Sequence, residues 1–180
     1  MFDLNPIYVV DIIGTVVSAT DTELKTDPAS YLSTSGKTLN YIYGDRDEIN
    51  KQLQLLSQGN NSKLTKYPLI ALVMPFPEVN AELLEVTLPR VIIATVTPQT
   101  LLFPDRYEQF FKPVLYPVYY EFLNQLTHVT VESDPATYSF TKMDVPRVVP
   151  NEKEGLTNDY VDAIVISNLK IKIFTPLNCN

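Results

Sequence analysis

One cysteine and one histidine in 180 residues leave little material for redox or metal chemistry. Cys179 stands one residue from the end, with no second thiol to close an intrachain disulfide or complete a cysteine metal site, so nothing argues for an oxidising compartment. The five glycines are scattered singly, which excludes a glycine-rich phosphate loop. Positive charge is also scarce. Fourteen Lys and Arg against twenty-one Asp and Glu give a net charge of −7 and a pI near 4.7, a balance that disfavours gripping nucleic acid by its phosphates. An acidic wall would instead let a polyanion slide past without sticking. Long apolar runs are missing too, since none reaches the roughly 18 to 20 residues of a membrane helix. The start, MFDLNPIYVVDIIGTVV, has no basic opening, and Asp11 interrupts its apolar run, unlike a secretory signal. The expectation is a protein made in a cytosol, with no membrane segment. Its length suits a single domain spanning residues 1–180.

What the chain has in quantity is proline, tyrosine and phenylalanine: fourteen, eleven and eight. They concentrate in FPDRYEQFFKPVLYPVYYEFLNQLTH. Leu115, Tyr119, Phe122 and Leu126 recur at spacings of four, three and four and form a candidate helix core, with Glu121, Asn124 and Gln125 off the stripe. Pro117 lacks an amide hydrogen, so this helix begins near Tyr116 or kinks there, with Pro113 starting a separate turn. Tyrosine combines large area with few rotatable bonds and a polar tip, which suits packing and assembly.

Other elements follow from periodicity. Residues 6–19 read as an amphipathic helix on Ile7, Val10, Ile13 and Val17, with a strand as the alternative because β-branched residues are dense. Residues 20–37 are polar, contain Pro28 and Gly36, and read as a long connection. TLNYIY is a strand closed by Gly44. Asp45 and Glu48 then approximate a capping box for a helix buried through Ile49, Leu53 and Leu56 and ended by Gly59. YPLIALVMP reads as a buried central strand between prolines, and LLEVTLPRVIIATVT as a longer one in which Pro89 forces an edge, a bulge or a break. TYSFTKMDVP is a further possible strand, and residues 146–157 read as exposed. In YVDAIVISNLKIKIF, Leu169, Ile171 and Ile173 alternate with Lys170 and Lys172, a strand with one wet face. The order of mixed helices and antiparallel strands fits an α+β fold.

A search for chemistry finds no catalytic, cofactor-binding or metal-binding residues to assign. His128 ends the aromatic helix, where the dipole favours an imidazole and no partner base or nucleophile stands nearby in sequence. Asp45, Asp47 and Glu48 are accounted for by capping. Asp159 and Asp162, with Glu152 or Glu154, match no calcium-loop spacing and read as solvated turn residues. Lys142, Arg147 and Lys153 are interleaved with acid, which weakens any nucleic-acid patch.

Taken together, YGDRDEINKQLQLLSQ, KYPLIALVMPF, LPRVIIATVT, DRYEQFFKPVLYPVYYEFLNQL and NDYVDAIVISNLKIKIF resemble neck proteins of tailed bacteriophages, of the tail-completion or tail-terminator type. The phrasing is closest to the crAss-like phages of gut Bacteroidetes. The resemblance implies a small, mainly antiparallel mixed sheet with helices packed on one face, and a structural virion protein in the phage neck, a head–tail connector forming a homo-oligomeric ring, hexamer or dodecamer. Its implied partners are neighbouring portal, adaptor or tail proteins, with genome DNA only passing through the channel. It supplies no catalytic residues. A ring needs a heterologous interface, and sheet edges suit one, so Pro89 and Val91 in one strand and Leu169, Ile171 and Ile173 in another are candidate subunit-interface positions. Residues 20–37 and 146–157 are candidate arms. The rival reading is a soluble α+β adaptor that recognises a protein partner through its aromatic surface. An enzyme ranks below both.

Overall fold

In a computed structural model, the structure describes residues 9–55, 66–80, 83–148 and 160–174. The first helix, α1 (Val9–Thr26), buries Val9, Ile13, Val16, Val17, Thr20 and Leu24, so the helical reading holds over the strand alternative. It also runs seven residues past Ala19, into the stretch read as a connection. The reason is local: the hydroxyls of Thr15, Thr20 and Thr22 donate to the carbonyls four residues back, at 3.0, 2.8 and 2.9 Å, so polar side chains are satisfied without leaving the helix. A short α2 (Tyr31–Ser35) follows. Ser30 caps it by accepting from the Leu32 amide at 3.2 Å, and Gly36 ends it at φ 65°. Leu24 and Leu32 are buried, so residues 20–37 form two helices folded onto the core and not an extended arm.

β1 (Asn40–Gly44) leads into α3 (Arg46–Leu55) through the expected capping box. The Glu48 amide donates to Asp45 Oδ1 and the Asp45 amide to Glu48 Oε2, both at 2.9 Å. Gly44 is required there, because its φ is 145° and a Cβ would lie 2.7 Å from Glu48 Oε2. Ile49 and Leu53 are buried as expected; Leu56, Gly59, Pro6 and Ile7 lie outside the described residues. β2 (Leu69–Val73) is the buried strand between prolines. The connection after it contains a strand missing from the sequence reading, β3 (Glu78–Asn80). Next come β4 (Leu83–Val96), a composite helix (residues 103–126), β5 (Ser139–Val148) and β6 (Val161–Phe174). Of the expected arm at 146–157, the first three residues belong to β5 and the rest lie outside the described residues.

The strands form one sheet in the order β1-β2-β4-β6-β5, with β3 also on β4. Only β1 and β2 run parallel; all other pairs are antiparallel. This is the expected α+β class with two corrections. Helices cover both faces: α1, α2 and the composite helix share one core with the sheet, whereas Ile49 and Leu53 of α3 pack with Ile42, Leu69 and Ala71 on the other. The second concerns the edges. Pro89 and Val91 lie in β4, flanked by β2 and β6, and Leu169, Ile171 and Ile173 lie in β6, all paired with β4 or buried beside it. The edge strands are β1 and β5, with the short β3 as a further edge beside the first half of β4.

Pro89 marks an interruption inside the sheet. Leu88 pairs with Leu169 and Arg90 with Ser167, which leaves Pro89 and Asn168 as one extra residue in each strand. Asn168 takes φ 55°, a left-handed conformation that asparagine tolerates. The double insertion resets the alternation. The helix-covered face is lined by Leu84, Val86 and Leu88 before it and Val91 and Ile93 after it, and β6 switches in step from Ile164 and Ile166 to Leu169, Ile171 and Ile173. The wet face of β6 is confined to the stretch from Ser167 onward, since Val161 to Ile166 are buried on both sides.

Candidate assembly surface

The proline-rich aromatic segment forms one helical path in three registers: α4 (Phe103–Arg106), a π-helical stretch (Tyr107–Leu115) and α5 (Tyr116–Leu126). Pro113 sits within the π stretch and does not start a separate turn, while Pro117 stands in the first turn of α5 as expected. Leu115, Tyr119, Phe122 and Leu126 are buried, joined by Phe111, Val114, Val118 and Leu123. Each such apolar side chain contributes about 1.5–3 kcal/mol by burial. π-helical insertions are often associated with functional segments.

The wider register explains a residue missed in the sequence. Arg106 precedes buried Phe111 by five positions, a step that a 3.6-residue period does not place on one face. It is nonetheless 4% exposed, and its guanidinium pairs with Asp162, which is fully buried in β6 opposite Thr95. Asp162 is thus a buried ion-pair partner and not a solvated turn residue. The pair ties the start of the composite helix to the start of β6, beside the end of β4.

Outward from this anchor the rings form a continuous row. Phe103, Tyr107, Tyr116 and Tyr120 follow one another at centroid separations of 6.2, 6.0 and 6.5 Å. Cations lie over the inner two: Lys112 is 5.2 Å from the Tyr107 ring and Lys142 is 4.8 Å from that of Tyr116. The Tyr116 hydroxyl donates to Asp144 Oδ2 at 2.9 Å, and Lys142 pairs with Asp144 Oδ1 at 2.5 Å, which links the helix to edge strand β5. Burial, followed by the hydrogen bond to Asp144, raises the Tyr116 phenol well above the usual tyrosine range. Burial likewise raises Tyr119, with Tyr120 and Asp144 adding to it. The row ends in solvent, with Leu102, Phe103 and Tyr120 at 70, 45 and 65% exposure.

The arrangement is suited to contact. His128 is exposed in the turn after α5, and its side chain forms no hydrogen bond among the described residues. Asp45 and Glu48 are occupied in the capping box, while Glu152, Glu154, Asp159 and Lys153 lie outside the described residues. No group of three or more His, Cys, Asp or Glu side chains able to hold a metal ion occurs among the described residues. No helix among them is long and apolar enough to cross a membrane. No protein-family model, curated protein or solved structure matches the chain.

Proposed function

We propose that this chain is a structural assembly protein, a ring-forming component of a phage neck that joins head to tail and surrounds the DNA channel. The observation that carries the assembly reading is the row of rings on the composite helix, exposed at both ends and held rigid by the Arg106–Asp162 anchor beneath it. Aromatic side chains fixed by their own packing lose little entropy on binding, which favours a permanent interface. The phage setting rests on the sequence resemblance. The excess of acid supports a wall past which DNA slides.

Light scattering on the purified protein, alone and mixed with a portal or tail-tube preparation from the same phage, tests the reading. A closed ring in either sample supports it. A monomer that binds neither preparation overturns it and favours the adaptor reading, in which the same aromatic row recognises an unrelated protein.

A further inference from the structure

The charges of this acidic chain are not evenly spread. Along residues 103–126 the carboxylates Asp105, Glu108 and Glu121 outnumber the one exposed cation, Lys112, because Arg106 is buried against Asp162. Lys112 is itself paired with Glu108 at 2.7 Å. The opposite side of the sheet carries the reverse balance. Beyond α3, the half of that face formed by the far parts of β4, β5 and β6 presents Arg90, Lys170 and Lys172 together with Thr87, Ser139 and Thr141. Its one exposed carboxylate among the described residues is Glu85, 3.4 Å from Lys172. Each surface also shows large apolar side chains: Leu102, Phe103 and Tyr120 on the helix, Val79 and Met143 at 59 and 51% exposure on the sheet.

We propose that copies of this chain associate head to tail, the outer face of the composite helix of one copy seating on the open basic half of the next copy's sheet. This inference deepens the ring reading and rests on it. Charge complementarity selects the occupant: acidic helix against basic sheet is attractive, whereas helix on helix or sheet on sheet brings like charges together. The contact is therefore heterologous. The two patches lie on opposite faces of one sheet, so each copy offers both halves of the interface at once, as a closed ring requires. Edge-to-edge pairing is the weaker route, because β5 is blunted by Pro146, by the Lys142–Asp144 pair and by two register shifts, and β1 and β3 are only five and three residues long.

The test uses the full chain and two charge-reversed variants. Lys170→Glu with Lys172→Glu disables the sheet face; Asp105→Lys with Glu108→Lys disables the helix face. Each variant alone is expected to weaken association roughly a hundredfold or more, and circular dichroism checks that each remains folded. Mixed, they regain complementarity at both contacts, wild-type helix on wild-type sheet and reversed helix on reversed sheet, so sedimentation should show the two variants assembling together although neither does so alone. Should a reversal unfold the chain, Lys170→Gln and Lys172→Gln supply the same comparison with a smaller expected loss. Folded variants that assemble as the wild type does, or a mixture that does not assemble, would overturn this interface while leaving the ring reading intact. A wild type that stays monomeric at every concentration, alone and with the portal or tail-tube preparation, overturns both.

Discussion

Replacing Arg106 with methionine would leave the Asp162 carboxylate fully buried without its guanidinium partner, the costly way to break an ion pair. The expected loss is about 3–5 kcal/mol, measured as a shift of the urea midpoint, and Asp162→Asn should lose a comparable amount. Replacing both residues with apolar ones of similar volume should recover much of it; a double variant as unstable as the sum of the singles would show that the pair does more than compensate its own burial. Tyrosines carry a second effect at this scale. Burial pushes Tyr138 up to about 12, against the opposing hydrogen bond with Thr130. Tyr41, half-buried with its hydroxyl donating to the Val10 carbonyl, Tyr116 and Tyr119 are raised as well. A phenol whose folded value is raised stays neutral in the fold after it has ionised in the unfolded chain. Its contribution is therefore complete below pH 10 and is lost as the pH rises toward 12. Melting temperature should fall steeply across that window, and Tyr138→Phe should flatten part of the fall; an unchanged slope would remove Tyr138 from this account. None of these roles was legible in the sequence. A buried arginine announces itself only when its helical face is known, and the π register hides that face.

The element that most rewards substitution is the matched interruption at Pro89 and Asn168. Asn168→Gly should be neutral or mildly stabilising, because glycine takes a φ of 55° without steric penalty, whereas Asn168→Val should cost about 1–2 kcal/mol. Chemical denaturation of both variants checks the ordering, and equal stabilities would mean that the left-handed residue is not needed. The sequence pointed to a disturbance at Pro89 because proline cannot donate to the ladder, but it did not give the compensating residue 79 positions later. Without that partner, the change of parity in each strand looks like a loss of pattern. The capping box of α3 was legible, since both of its hydrogen bonds join residues three apart. The extension of α1 was not. Threonine, serine and aspartate favour loops by propensity, and only the buried Leu24 and the threonine bonds to preceding carbonyls keep those residues helical.

For the whole molecule, the mixed fold follows from alternating periods of two and nearly four, and the apolar stripe of the aromatic helix was legible because four of its residues keep helical spacing into the core. Which strands lie at the edge was not, since strand order is a property of long-range pairing; the runs judged most suitable as edges, rich in Val, Leu and Ile, are the ones the sheet encloses. The charge distribution yields the last expectation. A net charge of −7 per copy multiplies on assembly, and the proposed contact buries opposite charges together, Arg90, Lys170 and Lys172 against Asp105, Glu108 and Glu121, so the free surface of a ring keeps the acidic balance over a smaller area per copy. Assembled protein should therefore leave the mobility of duplex DNA unchanged in a gel at physiological salt. The unassembled sheet-face variant, with two lysines reversed, should do the same. Retardation of DNA by the assembled form alone would mean that assembly brings cations together on its free surface, contrary to a channel wall that repels the strand it surrounds.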